Sequence, residues 1–286
     1  MMGYGWKPTV SLLTVTTIER YPMLADRVLE MSRQTWAYDE WWIAGPKSLI
    51  ERLKGSHWEA GPPITRDPRI HFFESDGNVP RMRNECAARS SSDIIIQVDD
   101  DDWQHPTRIE RQVKALQGTM GHRAVQVVGT NWVYAFWRKT GEIHRISFWN
   151  ALGFVPGATL AYWREAWANH PFDEAATSGE DGPFVRHFYD QGRFLNQREP
   201  TLILYHRHGA NASTDALYLE ASRTGYRRTP FEILEERRRN PGKALPLQYD
   251  DSALDAQRVH ENLVNRLFWQ SEMGEDEFKR FTGEVW

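Results

Sequence analysis

The chain has a single cysteine, Cys86, among 286 residues. An intrachain disulfide is therefore excluded, and a reducing compartment is expected. No stretch approaches the roughly 20 apolar residues that span a bilayer. The opening residues, Met1-Met2-Gly3-Tyr4-Gly5-Trp6-Lys7, lack the apolar core of a secretion signal. The expected location is cytoplasmic. An excess of one charge sign is also missing: the formal net charge is −4, which argues against a general nucleic-acid-binding surface. Residues 10–20 contain no glycine, so a glycine-rich phosphate loop near the N-terminus is absent. No internal repeat or low-complexity segment occurs. What is abundant is tryptophan, 13 in all, serving as stacking platforms for sugars or bases or, for most of them, as core side chains. Apolar residues make up 40% and charged residues 26%. That composition fits an ordinary globular chain of one large domain, or one domain plus an extension.

Over the first 120 residues, strand and helix signals alternate. Residues 10–16 (VSLLTVT) are a short β-branched apolar run, and residues 23–34 set Leu24, Val28 and Met31 at helical spacing. Trp41-Trp42-Ile43-Ala44 reads as a second strand ended by Gly45-Pro46, with a short helix from Ser48 to Leu53. Gly61-Pro62-Pro63 marks a loop. Residues 70–73 form a third strand, and Pro80 opens a helix to about Arg89. Cys86 in that helix reads as a small buried residue rather than a nucleophile. Residues 94–98 form a fourth strand, and a helix from about Pro106 aligns Ile109, Val113 and Leu116. This alternation predicts βαβ units and a mostly parallel sheet.

Beyond residue 120 the pattern changes. Residues 125–129 and 132–137 read as strands. Lys139-Thr140-Gly141 reads as a turn with a return strand over 143–148. A short strand is predicted over 158–162, a helix over 183–191 ended by Gly192, and a late strand over 202–205. From Asp215 the chain is polar and helical in character. Its arginine clusters at 227–228 and 237–239 are solvated faces or phosphate or acceptor contacts.

Three segments carry chemistry. Ile94-Ile95-Ile96-Gln97-Val98 runs directly into Asp99-Asp100-Asp101-Asp102-Trp103. Open α/β sheets bind ligands at the carboxyl ends of their strands, and four adjacent carboxylates repel one another. A hard divalent cation such as Mg²⁺ or Mn²⁺ offsets that repulsion and bridges to phosphates. The alternative is a solvated acidic loop capping the next helix. Second, Ser178-Gly179-Glu180-Asp181-Gly182 precedes an amphipathic helix with Phe184, Val185, Phe188 and Tyr189; acids at a helix start are also favoured by its dipole alone. Third, Tyr205-His206-Arg207-His208-Gly209 sets two histidines just past a strand, as metal ligands, phosphate contacts or surface residues.

In this order the three segments resemble the family 2 glycosyltransferases. The resemblance covers about residues 10–213. Residues 10–16 look like the family's first nucleotide-binding strand, and Gln34-Thr35-Trp36 like its "QTY" ending. Arg81-Met82-Arg83-Asn84 looks like its "ARN" segment, and residues 98–106 like "LDxDDxxxP". Val155-Pro156-Gly157-Ala158 is similar to the acceptor-side loop. Phe172-Asp173-Glu174 with Glu180-Asp181, Arg186 and Gly192 is similar to "FDE…EDxxxxxR…G", and residues 206–213 to "YRxHxxxxS". Two places depart from the pattern: Ala44-Gly45-Pro46 stands where the family often has an acid facing the donor base, and residues 15–20 replace its Pro-Thr-Tyr-Asn.

The resemblance implies a GT-A-type nucleotide-diphospho-sugar transferase fold, α/β, with a mostly parallel central sheet flanked by helices. It places the transferase domain at residues 1–213, with a nucleotide-binding part at about 8–120 and an acceptor-side part at about 121–213. Residues 214–286 would form a helical C-terminal extension. It implies a metal-dependent inverting transfer of sugar from a nucleotide-diphosphate sugar to a hydroxyl. Asp181 would be the base with Glu180 beside it. Asp99, Asp101 and His208 would hold Mn²⁺ or Mg²⁺. Thr16, Glu19, Arg83, Asn84, Asp99 and Asp100 would contact the donor, with Asp102 a ribose or supporting contact. Acceptors consistent with a chain lacking a membrane span are a surface glycan, a lipid-linked oligosaccharide, a protein, a small molecule or a modified DNA base. The C-terminal helices would cover the acceptor cleft or form a homodimer. The alternatives are a nucleotidyltransferase on the same kind of sheet and a non-catalytic nucleotide-sugar-binding module.

Overall fold

The computed structural model describes residues 6–55, 67–120, 122–137, 142–148, 155–176, 179–197, 199 and 202–207. The expected loop at 61–63, the turn at 139–141, Ser178, His208 and the helical extension over 214–286 lie outside these residues. The chain divides into two units, Met1–Asn131 with Ala151–Ile203, and Trp132–Asn150 with Leu204–Trp286.

The first unit is built on a seven-stranded sheet. Its elements begin β1 (Val10–Val15), α1 (Tyr21–Met31), β2 (Glu40–Gly45), α2 (Lys47–Gly55), β3 (Ile70–Glu74), α3 (Val79–Arg89) and β4 (Ile94–Gln97). They continue with the two-residue β5 (Trp103–Gln104), α4 (Arg108–Leu116), the short pair β6 (Thr119–Met120) and β7 (Arg123–Ala124), and β8 (Val127–Gly129). The second unit interrupts with β9 (Trp132–Trp137) and β10 (Glu142–Ser147). The first unit resumes with a 3₁₀ turn (Gly157–Thr159), β11 (Ala161–Trp163), α5 (Arg164–Asn169), α6 (Asp181–Asp190) and β12 (Phe194–Asn196). The strand order is β12-β8-β11-β4-β1-β2-β3. Every neighbouring pair is parallel except those of β11, which runs antiparallel to β4 and β8. The sheet is thus mostly parallel, as the alternation predicts.

In the second unit, β9 and β10 form the predicted antiparallel pair, from Trp132↔Ser147 to Trp137↔Glu142. β13 (Ile203–Arg207) lies parallel to β9, from Leu204↔Tyr134 to Arg207↔Trp137.

The core lies on both faces of the sheet, and β4 shows why. Ile94, Ile95 and Ile96 are fully buried, and successive strand residues point to opposite faces. Ile94 and Ile96 join Leu24, Val28 and Met31 of α1 and Ile109, Val113 and Leu116 of α4. Ile95 packs on the other face with Cys86 and Ala87 of α3, Tyr162 of β11 and Phe184, Val185 and Phe188 of α6. Each fully buried isoleucine contributes about 1.5–3 kcal/mol. A strand apolar on both faces therefore becomes central rather than an edge. Trp41 and Trp103 are core residues too. Cys86 is fully buried, and burial pushes its thiol pKa up. Among the described residues no helix is long and apolar enough to cross a membrane.

Several predicted bounds shift by one to three residues, among them α1, α4, β8 and β13. The expected strand over 158–162 is a 3₁₀ turn followed by a strand that begins at Ala161. The helix expected from Pro183 begins at Asp181, with Glu180 as its cap residue, and Tyr189 is exposed while Phe184, Val185 and Phe188 are buried. The helix near Ser48 already begins at Lys47. The elements β5, β6, β7, α5 and β12 have no counterpart among the predicted ones; they are too short for periodicity to show.

Gly192 ends α6 as expected. Its φ is +64°, and the Gly192 and Arg193 amides donate back to the Tyr189 and Phe188 carbonyls at 2.9 and 2.8 Å, the pattern of a Schellman stop. A β-carbon in that conformation costs about 1 kcal/mol. Gly192→Ala should therefore lower the melting temperature by about 2–4 °C, as measured by differential scanning calorimetry.

Candidate active site

Parallel pairing brings the ends of β1 and β4 to one edge of the sheet. Leu13 lies opposite Gln97, so Thr16 and the Asp run emerge side by side. A chain of hydrogen bonds fixes that edge: Trp41 Nε1 donates to Thr14 Oγ1 at 2.9 Å, and Thr14 Oγ1 donates to the Val98 carbonyl at 2.6 Å. Because β11 runs antiparallel to β4, its leading turn, Gly157–Thr159, arrives at the same edge. α3 supplies Arg83 and α6 supplies Asp181, each anchored by its apolar face.

The four aspartates have different surroundings. Asp100 is fully buried. One of its oxygens accepts the Thr16 hydroxyl at 2.5 Å, and the other lies 3.2 Å from Arg20 Nη1. Burial pushes the Asp100 pKa up to about 6, against the opposing pull of Arg20 and Thr16. Asp101 is paired with Arg20 through Nη2. Asp99, Asp101 and Asp102 each offer an oxygen, and these oxygens lie within 4.8 Å of one another. Three hard oxygen donors at that spacing fit a Mg²⁺ or Mn²⁺ ion. Asp99 is the most open, with 39% of its side chain exposed.

The acid pair lies within reach of this cluster through one guanidinium. Arg83 pairs with Glu180 through Nη1 and lies 3.7 Å from Asp99 Oδ1 through Nη2. Burial works against its charge, but Glu180, Asp99 and Asp181 outweigh it and keep Arg83 protonated. Asp181 is buried at the first position of α6. It accepts the Gly157 amide at 2.5 Å and the Gly182 amide at 3.0 Å. Burial and then the Glu180 charge push its pKa up to about 7, against Arg83 and the two amides.

Gly157 meets both groups. Its amide holds Asp181, while a β-carbon built on it would sit 2.6 Å from Arg83 Nη1 and 3.0 Å from Nη2. Glycine is therefore required by close approach.

The other candidates take different places. Asn84 is buried. It donates to the Phe172 carbonyl at 2.9 Å and to Glu174 at 3.0 Å, and it accepts from Trp167 Nε1 and the Phe172 amide. It fastens the loop that leads to α6. Asn78, unnoticed in the sequence, caps α3 by accepting the Arg81 amide at 3.2 Å and donates to the Glu174 and Ala176 carbonyls of the same loop. Glu19 is exposed, with the Thr17 hydroxyl as its hydrogen-bond partner. The next residue, Arg20, is the one that reaches the Asp run, and the motif comparison passed over it. His208 lies outside the described residues.

The Glycosyl transferase family 2 model matches residues 57–231. The chain belongs to this family and is a glycosyltransferase. The matched span holds Arg83, the Asp run and the Glu180-Asp181 pair, while the β1 segment with Thr16 and Arg20 precedes it. A search of curated proteins gives no match. Among solved structures, the mannosyltransferase PcManGT from Pyrobaculum calidifontis, in complex with GDP-Man and Mn²⁺, is similar at 14% identity. Its TM-score is 0.52, over 98% of this chain and 84% of that one. The likeness extends the α/β sheet described above to the GT-A fold. S. aureus TarS 1-349 aligns at 10% identity and TM-score 0.49; the alignment takes in 69% of this chain and 60% of that structure's length.

The close approach at Gly157 gives a direct test of the Arg83 bridge. In Gly157→Ala the guanidinium must move while the buried core is untouched. The variant should keep its circular dichroism spectrum and lose about tenfold to a hundredfold in sugar transfer, the usual cost of misplacing a site group by about 1 Å.

Proposed function

We propose that this glycosyltransferase moves a sugar from a nucleoside-diphosphate donor to an acceptor hydroxyl with inversion, Asp181 acting as the base. The observation that carries the reading is the Arg83 bridge. One half-buried guanidinium lies between Asp99 of the metal-type cluster and Glu180 beside Asp181, which supports reading the two carboxylate groups as one site. The GDP-Man and Mn²⁺ held by PcManGT support a donor of that class.

In this reading Asp99, Asp101 and Asp102 hold the divalent cation, which when bound neutralises charge developing on the leaving diphosphate. The acceptor oxygen forms its bond to the anomeric carbon as the bond from that carbon to the diphosphate oxygen breaks. The acceptor proton passes to the Asp181 carboxylate, and the nucleoside diphosphate leaves with the bonding pair. A base works best with a pKa near the working pH, and burial with Glu180 holds Asp181 there. Glu180 sets that pKa and positions Arg83. Asp100, hydrogen-bonded to Thr16 through one oxygen and ion-paired with Arg20 across 3.2 Å through the other, anchors the loop. Asn84 positions the loop before α6. The acceptor is a hydroxyl on a glycan, a lipid-linked glycan or another acceptor of this kind.

The donor is tested by thermal unfolding with a panel of nucleoside-diphosphate sugars and Mn²⁺. A true donor stabilises by mass action, about 2.7 kcal/mol at a hundredfold excess over its Kd. Protection should vanish on chelation. A panel in which none protects would refute the donor class.

Asp181→Asn should fold and lose transfer at least about a hundredfold. Its stability should also change in a definite direction. A carboxylate with a raised native pKa binds more protons folded than unfolded, so wild-type stability falls as pH rises from about 4 to about 7. The variant loses that fall and is at least as stable as wild type at pH 8. In the wild type, kcat/KM should rise with pH through about 7. Glu180→Gln removes a like charge and should move that limb to lower pH. Near-normal transfer by Asp181→Asn removes it from the mechanism.

A further inference from the structure

Arg20 stands where a divalent cation needs charge. Its guanidinium spans two neighbouring carboxylates, lying 3.2 Å from Asp100 Oδ1 through Nη1 and pairing with Asp101 through Nη2. The two carboxylates are not equivalent. Asp100 is fully buried and bound to Thr16 on its other oxygen, so it is committed to the protein. Asp101 also belongs to the trio of oxygens with Asp99 and Asp102. A cation seated in that trio and the Arg20 guanidinium therefore draw on the same carboxylate.

The seat of Arg20 is also incomplete. Its Nε–H is buried without a hydrogen-bond partner among the described residues, and an unmade buried donor is costly. The side chain retains 23% exposure, which leaves it a way out. Its backbone is the cap residue of α1, φ −92° and ψ −5°, so the side chain can swing without moving β1.

We propose that Arg20 is an internal counter-ion that holds Asp101 when no divalent cation is bound and yields it when one arrives, with Asp100 as its hinge. The proposal rests on the reading of Asp99, Asp101 and Asp102 as metal ligands. Cation binding is then an exchange of ionic partners at Asp101, with no covalent change. Arg20 relieves repulsion within the Asp run of the metal-free fold and weakens metal binding by the work of its own displacement.

The test is Mn²⁺ binding to the full chain, followed by the electron paramagnetic resonance signal of free Mn²⁺ at fixed ionic strength. Wild type is compared with Arg20→Gln, Arg20→Lys and Asp101→Asn. Arg20→Gln should bind Mn²⁺ about twofold to fivefold more tightly, the scale of one partly exposed ion pair. It should melt at a lower temperature than wild type without metal, and the gap should close at saturating Mn²⁺. Arg20→Lys keeps the charge but cannot span both carboxylates, so its Mn²⁺ affinity should fall between those of wild type and Arg20→Gln. If Arg20→Gln binds Mn²⁺ equally or more weakly while Asp101→Asn loses it, the exchange is overturned and the metal reading stands. If Asp101→Asn binds like wild type, or wild type binds no Mn²⁺, both are overturned. Should Arg20→Gln fail to fold, the arginine side-chain ¹⁵N resonances of wild type decide. The Arg20 signal, assigned by its loss in Arg20→Lys, should shift and sharpen as Mg²⁺ saturates; an unmoved signal overturns the exchange.

Discussion

Repulsion among carboxylates is the constraint around which this end of the molecule is organised. Asp99, Asp100, Asp101 and Asp102 follow one another in the chain, and Glu180 and Asp181 join them through the Arg83 bridge. A buried carboxylate is costly unless paired, and each is placed to meet that cost in its own way. Asp100 takes a hydroxyl and a guanidinium. Asp181 takes two backbone amides at a helix start, where the helix dipole favours negative charge. Two arginines from separate segments, Arg20 after β1 and Arg83 in α3, bring positive charge to the two ends of the arrangement.

Asp181 shows how the balance is struck. Helix start, amides and Arg83 all favour its ionised form, while burial and Glu180 oppose it, and the opposition is larger. The carboxyl is thus kept close to neutrality, where it can both lose and regain a proton. Moving any of the partners would shift the balance: a closer Arg83 would favour the anion, and a lost Gly157 amide the neutral acid.

Much of this was legible in the sequence, for physical reasons that also mark where legibility ends. The Asp run was readable because an Ile-rich strand leaves only one place for polar residues, the carboxyl edge. Glu180-Asp181 was readable because the helix behind it has a clear apolar stripe in Phe184, Val185 and Phe188. The α1 and α4 faces followed from periodicity. Arg20 was not readable, because it acts alone, across 80 residues of chain, and nothing local marks it; the comparison of motifs pointed to Glu19 instead. Gly157 looked like part of a loop motif, and only the packing of Arg83 against it explains the glycine. The turn at Gly157–Thr159 was read as strand because Ala158, Thr159 and Leu160 are apolar or β-branched and buried, which is equally true of a buried turn.

One further residue sets how the two carboxylate groups face each other. Arg108, the first residue of α4, is fully buried. Its Nη2 donates to the Gln97 and Ala158 carbonyls, each at 2.7 Å, its Nε to Gln112 at 3.1 Å and its Nη1 to Gln104. Gln97 ends β4 just before the Asp run. Gln104 follows the run and donates to the Asp102 carbonyl at 2.9 Å, and Gln112 donates to the Thr159 carbonyl at 2.8 Å. Both ends of the Asp run and the turn that presents Gly157 to Asp181 therefore hang on one guanidinium. A buried charge is costly to desolvate, but an apolar residue here would leave four acceptors without their donor. What an apolar side chain lacks is directional contacts, three of them to separate segments and one along α4 to Gln112. Those directions fix the Asp run relative to the turn whose Gly157 amide holds Asp181, although none of the four contacts is made to a carboxylate.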